Sequence, residues 1–349
     1  MAKINVRSPY FINHTATNLT SATLEIVIYF GAVNTSFGTP QYTLVSTAID
    51  AKVNFEVSEL IKDYIQTKFN GTFPTPTVTD EEATTIFVDY RITQTTSGGT
   101  TVLTPVYGNR AFYGYGYFED GVNPSFNTIF SLQSNTRILK NTNATVTIPV
   151  DNTIATSLVW KYQGSTVSTI AIPAQAKIQD QITYVTSTGI SNVDQAEISA
   201  GVKSLTINID SYEKCKYAPI KLTFINKFGA YQELWMFANS ILSMATNEER
   251  YKSNILTNGT YKTYDPQIKL LTKNGNQTLK LNSDYYPESY NEVFRQLFLS
   301  EKVWIDYEGE TLGVNIENKQ ITYKTSLTDS LINYTIDVSF AFDTINNIR

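Results

Sequence analysis

Along most of this chain, hydrophobic and polar residues alternate with a period of two. Ala22–Phe30 sets Leu24, Ile26, Ile28 and Phe30 against Thr23, Glu25, Val27 and Tyr29. That is the pattern of a half-buried strand. Gln41–Ala48, Val53–Val57, Thr84–Thr95 and Thr101–Val106 read the same way, and Ser97-Gly98-Gly99 makes a turn between the last two. The period changes once in this part. Ser58 can cap a helix from Glu59 to about Phe69, with Leu60, Ile61, Tyr64 and Ile65 as its apolar stripe. Gly71, Pro74 and Pro76 end it.

Asn109–Phe126 follows, and in it Tyr113, Tyr115 and Tyr117 alternate with Gly114 and Gly116. One reading is an aromatic platform for a partner protein or a sugar. The other is a strand whose small residues lie under a close-packed neighbour. Farther on, Thr145–Val150, Ile154–Tyr162, Ser165–Ile172, Gln181–Val185 and Val202–Ile209 are short Thr-, Ser- and Val-rich strands, with Gln163-Gly164 as a tight turn. They predict a small antiparallel sandwich.

Tyr217–Asn239 predicts a core hairpin. Ile220, Leu222 and Phe224 share one side of its first strand, and its second strand ends apolar on both faces at Leu234, Trp235, Met236 and Phe237. Asn226 opens the turn and Gly229 supplies its positive φ. Asn274-Gly275 predicts another hairpin, between Ile268–Thr272 and Gln277–Asn282. Pro287–Ser300 is the clearest helix, with Tyr290, Val293, Phe294, Leu297 and Phe298 on one face. Val303–Tyr307 and Leu312–Ile316 flank Glu308-Gly309. Ile332–Phe342 reads as the longest strand, central in a sheet.

These elements predict a mainly β fold: several antiparallel β-sandwich or barrel modules with two short helices. The expected domains are an N-terminal sandwich with one inserted helix at 1–120, a linker at 121–134, a small all-β domain at 135–212, and a C-terminal sheet domain with one helix at 213–349.

Composition narrows the function. At 42% hydrophobic and 17% charged, the chain is globular in character. A net charge of −5 argues against sequence-specific nucleic-acid binding, which wants a basic stripe. An acidic lumen would still let DNA pass without sticking. The single cysteine, Cys215, allows no internal disulfide framework. The N-terminus lacks the apolar core of a secretory signal, and the longest weakly polar run, Leu234–Ala245, is too short to span a bilayer.

Catalytic signals are sparse. His14 is the only histidine and cannot build a multi-histidine metal site. Cys215 lies between Lys214 and Lys216 with no base beside it in sequence. The carboxylate groups Asp80-Glu81-Glu82 and Asp306/Glu308/Glu310 read as solvated turns. Phosphate-loop, dinucleotide-binding and zinc-hydrolase motifs do not occur. The expectation is a non-enzyme without catalytic, cofactor-binding or metal-binding residues.

Three runs carry a resemblance: Leu222–Phe237 with its Phe-x-Asn-x-x-Gly-Ala centre, Gly114–Phe126, and Ser326–Arg349. They resemble virion tail and neck proteins of tailed phages that infect Bacteroidota, of the crAss-like and flavophage-like kinds. The resemblance implies a structural tail, neck or baseplate ring protein, made in the host cytoplasm and located in the virion. Its partners would be further copies of itself, in a ring homo-oligomer, and other virion proteins. Tyr113, Tyr115, Tyr117 and Phe118 are the expected interface residues. The alternative is a carbohydrate-binding or adhesin-like module with Tyr113, Tyr115, Tyr117 and Trp160 as stacking platforms.

Overall fold

The computed structural model describes residues 2–30, 33–65, 67–73, 85–123, 135–150, 155–172, 181–190, 192–213, 216–322 and 331–345. Strands take 55% and helices 7%, so the fold is mainly β, built from several sheets. The chain falls into two compact units. One holds Met1–Glu213, Thr223–Leu234 and Leu299–Glu301; the other holds Lys214–Leu222, Trp235–Phe298 and Lys302–Arg349. The segment 121–134 expected as a linker lies mostly outside the described residues.

The first unit begins with a six-stranded sheet. Its order is Lys3–Asn5, Val106–Phe112, Thr85–Thr96, Leu19–Tyr29, Tyr42–Thr47, and Gly99–Val102 also pairs with Thr85–Thr96. The pairing is antiparallel except between Lys3–Asn5 and Val106–Phe112. Leu24, Ile26 and Ile28 are buried, as their alternation requires, and Val27 on the opposite side is buried too. Phe11–Thr15 and Lys52–Glu56 form a separate ribbon.

The helix expected from Glu59 to Phe69 is a single turn, Ser58–Lys62. Ser58 does not cap it: the Ser58 hydroxyl donates to the Glu56 carboxylate instead. The same carboxylate accepts from the Ser58 amide at 2.9 Å, and past Lys62 the chain tightens into i→i+3 bonds, Tyr64 to Ile61 and Ile65 to Lys62, where the helix ends. The apolar spacing still serves a purpose, because Ile61, Ile65 and Phe69 are all buried.

Residues 135–212 form a sandwich within the first unit. Its larger sheet runs Ser165–Ile172, Thr156–Tyr162, Gln195–Ala200, Lys203–Tyr212, Asn135–Leu139. Its smaller sheet pairs Thr145–Val150 with Gln181–Thr186. Leu158, Trp160, Ile198 and Ile207 from the first meet Val146 and Ile148 from the second in one core.

A seven-stranded sheet runs Tyr231–Met236, Ile220–Ile225, Val303–Tyr307, Glu310–Ile316, Thr335–Phe340, Ile268–Asn282, Ile241–Lys252. The hairpin at its head turns at Gly229 with φ 77, and the Asn226 side-chain oxygen accepts from the Phe228 and Ala230 amides at 3.0 and 3.1 Å. Helix Asn291–Leu299 buries Val293, Phe294 and Leu297, with the Phe294 ring 4.5 Å from that of Tyr334.

Two expectations fail in the C-terminal part. Asn274-Gly275 is not a turn but the middle of one continuous strand, Ile268–Asn282. The Thr344 amide donates to the Gly275 carbonyl at 2.8 Å, and Ile345 donates to the Asn274 side chain at 3.0 Å. The glycine is buried there, with Thr344 and Met244 close over its α-carbon. The run Ile332–Phe342 is not the longest strand. It splits into Leu331–Ile332 and Thr335–Phe340, because the Tyr334 amide leaves the ladder to donate to the Ser283 hydroxyl at 2.8 Å. Thr335–Phe340 is nevertheless interior to its sheet.

Candidate functional site: an exposed two-stranded ribbon

The tyrosine stripe is largely core. Tyr113 and Tyr115 are buried, and they follow the strand Val106–Phe112 without continuing it. The Tyr115 amide donates to the Lys227 carbonyl at 2.7 Å. A β-carbon on Gly114 would sit 2.7 Å from that same oxygen, and one on Gly229 would sit 2.8 Å from the Tyr113 nitrogen. The two glycines let two backbones of the first unit touch. So the expected free aromatic face is corrected at Tyr113 and Tyr115. Tyr117 is half-buried, and Phe118 alone is fully exposed, at 100%.

Around Tyr113 lies a charged knot. The Tyr113 hydroxyl donates to Glu301 at 2.5 Å, and Arg7 and Lys62 pair with the same carboxylate at 3.1 and 3.4 Å. Arg7 also donates to the Leu299 carbonyl at 2.8 Å and stacks over Tyr115 at 4.7 Å. Burial and the neighbouring carboxylate push the Tyr113 hydroxyl far above its ordinary range. Burial alone would raise Glu301, but the Tyr113 hydroxyl and the two cations outweigh it and lower its pKa. The Glu301 carboxylate is bonded by three protein groups, which marks a structural tie, and the buried Nη1 of Arg7 lacks a hydrogen-bond partner among the described residues.

The remaining candidates also resolve. Trp160 is completely buried in the sandwich core and offers no stacking face. His14 is half-buried on a strand, its Nε2 2.8 Å from the Gln94 side-chain oxygen. Asp306 pairs with Lys221 at 3.0 Å and accepts from Thr311. Glu308-Gly309 is a hairpin turn with both φ positive. Cys215 and Asp80-Glu81-Glu82 lie outside the described residues. Among the described residues, no cluster of three His, Cys, Asp or Glu side chains could hold a metal. No helix among them is long and apolar enough to cross a membrane.

The feature that sequence reading missed is in the second unit. Ile241–Lys252 pairs antiparallel with Ile268–Asn282, and every residue of Ile241–Lys252 is exposed. At about 3.4 Å per residue, the twelve paired positions extend about 40 Å. Thr335–Phe340 supports the base only, pairing from Asn282 to Thr278. Thr344 and Ile345 then bond Gly275 and Asn274, and beyond these the ribbon is two strands wide among the described residues. It ends in a small turn at Asn258-Gly259, with φ 52 and 79, closed by the Thr257–Thr260 bridge.

Apolar side chains line this ribbon without a core to enter. Tyr251 is 45% exposed, Leu271 65% and Tyr264 77%, and Leu256, Ile268 and Leu270 are exposed as well. Leu271 is the extra residue of a bulge opposite Glu249/Arg250. Glu248 pairs with Arg250 and Lys273, and Asp265 with Lys269. Scattered exposed leucines are ordinary, but an apolar set gathered on one thin element makes it the candidate interaction surface.

One cleft of about 860 Å³ lies in the 135–212 sandwich. Tyr162, Asn141, Asn143, Asn192, Asp194 and Asp210 are among its lining residues. No protein-family model matches the chain, and no curated protein matches it either.

Proposed function

We propose that this chain is a non-enzymatic structural subunit of a tailed-phage virion, a tail, neck or baseplate protein that assembles as a ring. The observation that carries the reading is the exposed apolar ribbon Ile241–Asn282. A two-stranded hairpin is marginal in water by itself, and this one presents leucines, isoleucine and tyrosines to solvent. Such an element has a use in a protein that is covered by neighbours. The resemblance of the Phe-x-Asn-x-x-Gly-Ala hairpin to virion proteins supports the same reading. The test is direct: purified particles should contain the chain at a high, fixed copy number, and the isolated protein should form closed rings under negative stain. A chain missing from particles, or present at trace level, overturns it.

The carbohydrate-binding or adhesin-like alternative loses Tyr113, Tyr115 and Trp160 to the core. It retains the cleft, where Tyr162 could stack on a sugar ring among amide and carboxylate groups. Glycan-array binding that disappears in Tyr162→Ala would favour it.

A further inference from the structure

We infer that the ribbon of one copy docks on the edge strand Tyr42–Thr47 of a second copy, joining the free edge of Ile241–Lys252 to it. The inference rests on the ring-subunit reading above and names the contact that would build the ring.

The acceptor is an unguarded edge. Tyr42–Thr47 ends its six-stranded sheet and keeps an unbroken register with Leu19–Tyr29. Native edge strands are usually blunted by charge, proline or a bulge. This one has no charged residue, no proline and no bulge. Val45 on it is 73% exposed, and Ile49 just beyond it is exposed too. Among the described residues, the edge Ser165–Ile172 is disrupted by a register shift against Thr156–Tyr162 and so is protected, and the edge Tyr231–Met236 is mostly buried.

The donor fits by shape and charge. Among the described residues, no strand pairs with the outer edge of Ile241–Lys252, and strand addition satisfies the backbone groups of such an edge on both partners. Residues 241–282 carry Arg250, Lys252, Lys262, Lys269, Lys273 and Lys280 against Glu248, Glu249 and Asp265, a net +3. The whole chain is at −5, so the remainder stands at −8. The strand Tyr42–Thr47 is itself uncharged, so this charge draws the ribbon toward another, acidic copy at long range and backbone pairing sets the contact. Its exposed leucines and tyrosines favour a protein partner over nucleic acid. Because donor and acceptor are different surfaces, the contact is heterologous, and a closing rotation makes a ring.

The test uses two full-length variants and the mass in solution. Val45→Lys guards the acceptor; Leu242→Glu with Met244→Glu, both exposed on the donor strand itself, spoils the donor. These side chains are exposed, so both variants should keep the parent's circular dichroism. Each alone should be monomeric, while an equal mixture should form a one-to-one dimer, since each copy retains the half that the other lacks. Thr43→Lys is a second acceptor variant and should behave like Val45→Lys. If the parent assembles and the variants assemble equally well, this contact is wrong while the ring-subunit reading stands. A parent that stays monomeric and shifts duplex DNA overturns the contact in favour of nucleic acid. Absence from particles would sink the ring-subunit reading separately.

Discussion

At the scale of single residues, most candidate chemistry proves to be packing. Gly114 and Gly229 are glycines because each lies against the other strand's backbone within the first unit. Tyr113 is buried because its hydroxyl has Glu301 to bond and its ring has a covered site. Glu301 in turn gathers Arg7 and Lys62. This knot predicts a pH dependence. Glu301 has a lowered pKa when folded, so the unfolded state binds more protons across the window below its ordinary value of 4.5. The stabilisation is present above that value and is lost as pH falls through the folded pKa. Glu301→Gln should therefore cost about 1 kcal/mol near neutrality, a modest figure because the carboxylate is 41% exposed. The gap from the parent in melting temperature should close at acid pH. An equal gap at both pH values would show that lost packing, not charge, explains the effect.

At the scale of elements, the hydrophobic period identified the helix Asn291–Leu299 and its buried face, because that face repeats every three to four residues whatever covers it. Phe294 is its anchor, fully buried with its ring edge-on to Tyr286 at 5.7 Å. Phe294→Ala should cost ~3–5 kcal/mol in chemical denaturation. A loss under ~1 kcal/mol would mean that the pocket collapses around the smaller side chain or that the ring is dispensable. The ribbon was not legible in the same way. Within residues 241–282 the chain contains two Asn-Gly pairs, Asn258-Gly259 and Asn274-Gly275, and local sequence does not distinguish them. Only the first has φ positive at both residues. The second is held extended by Thr344 and Ile345, some seventy residues away.

At the scale of the whole molecule, the proposed contact between the exposed ribbon and the edge Tyr42–Thr47 would leave the free monomer incomplete. Its ribbon should be vulnerable until covered. Brief trypsin treatment of monomeric Val45→Lys should cut first at Lys252 or Lys262, which mass spectrometry of the fragments would locate. The same bonds should survive in the assembled parent. Equal cleavage in both would mean that assembly leaves the ribbon bare.

The sequence by itself determined the class of the fold and much of its core. A period of two survives any tertiary arrangement, so Leu24, Ile26, Ile28, Leu222, Phe224 and Ile336 could be assigned to the interior without knowing their neighbours. Turn chemistry marked Gly229 and Glu308-Gly309 for the same local reason. Only the tertiary structure decided which apolar residues found cover. Tyr113 and Tyr115 admit both an exposed platform and a close-packed strand, and they are buried. Leu270 and Leu271 read as ordinary strand residues and stand in solvent, as does Tyr251. The physical reason is that alternation reports which side chains share a face. Whether that face meets another sheet, a distant strand or water depends on contacts far apart in the chain, and no local period encodes them.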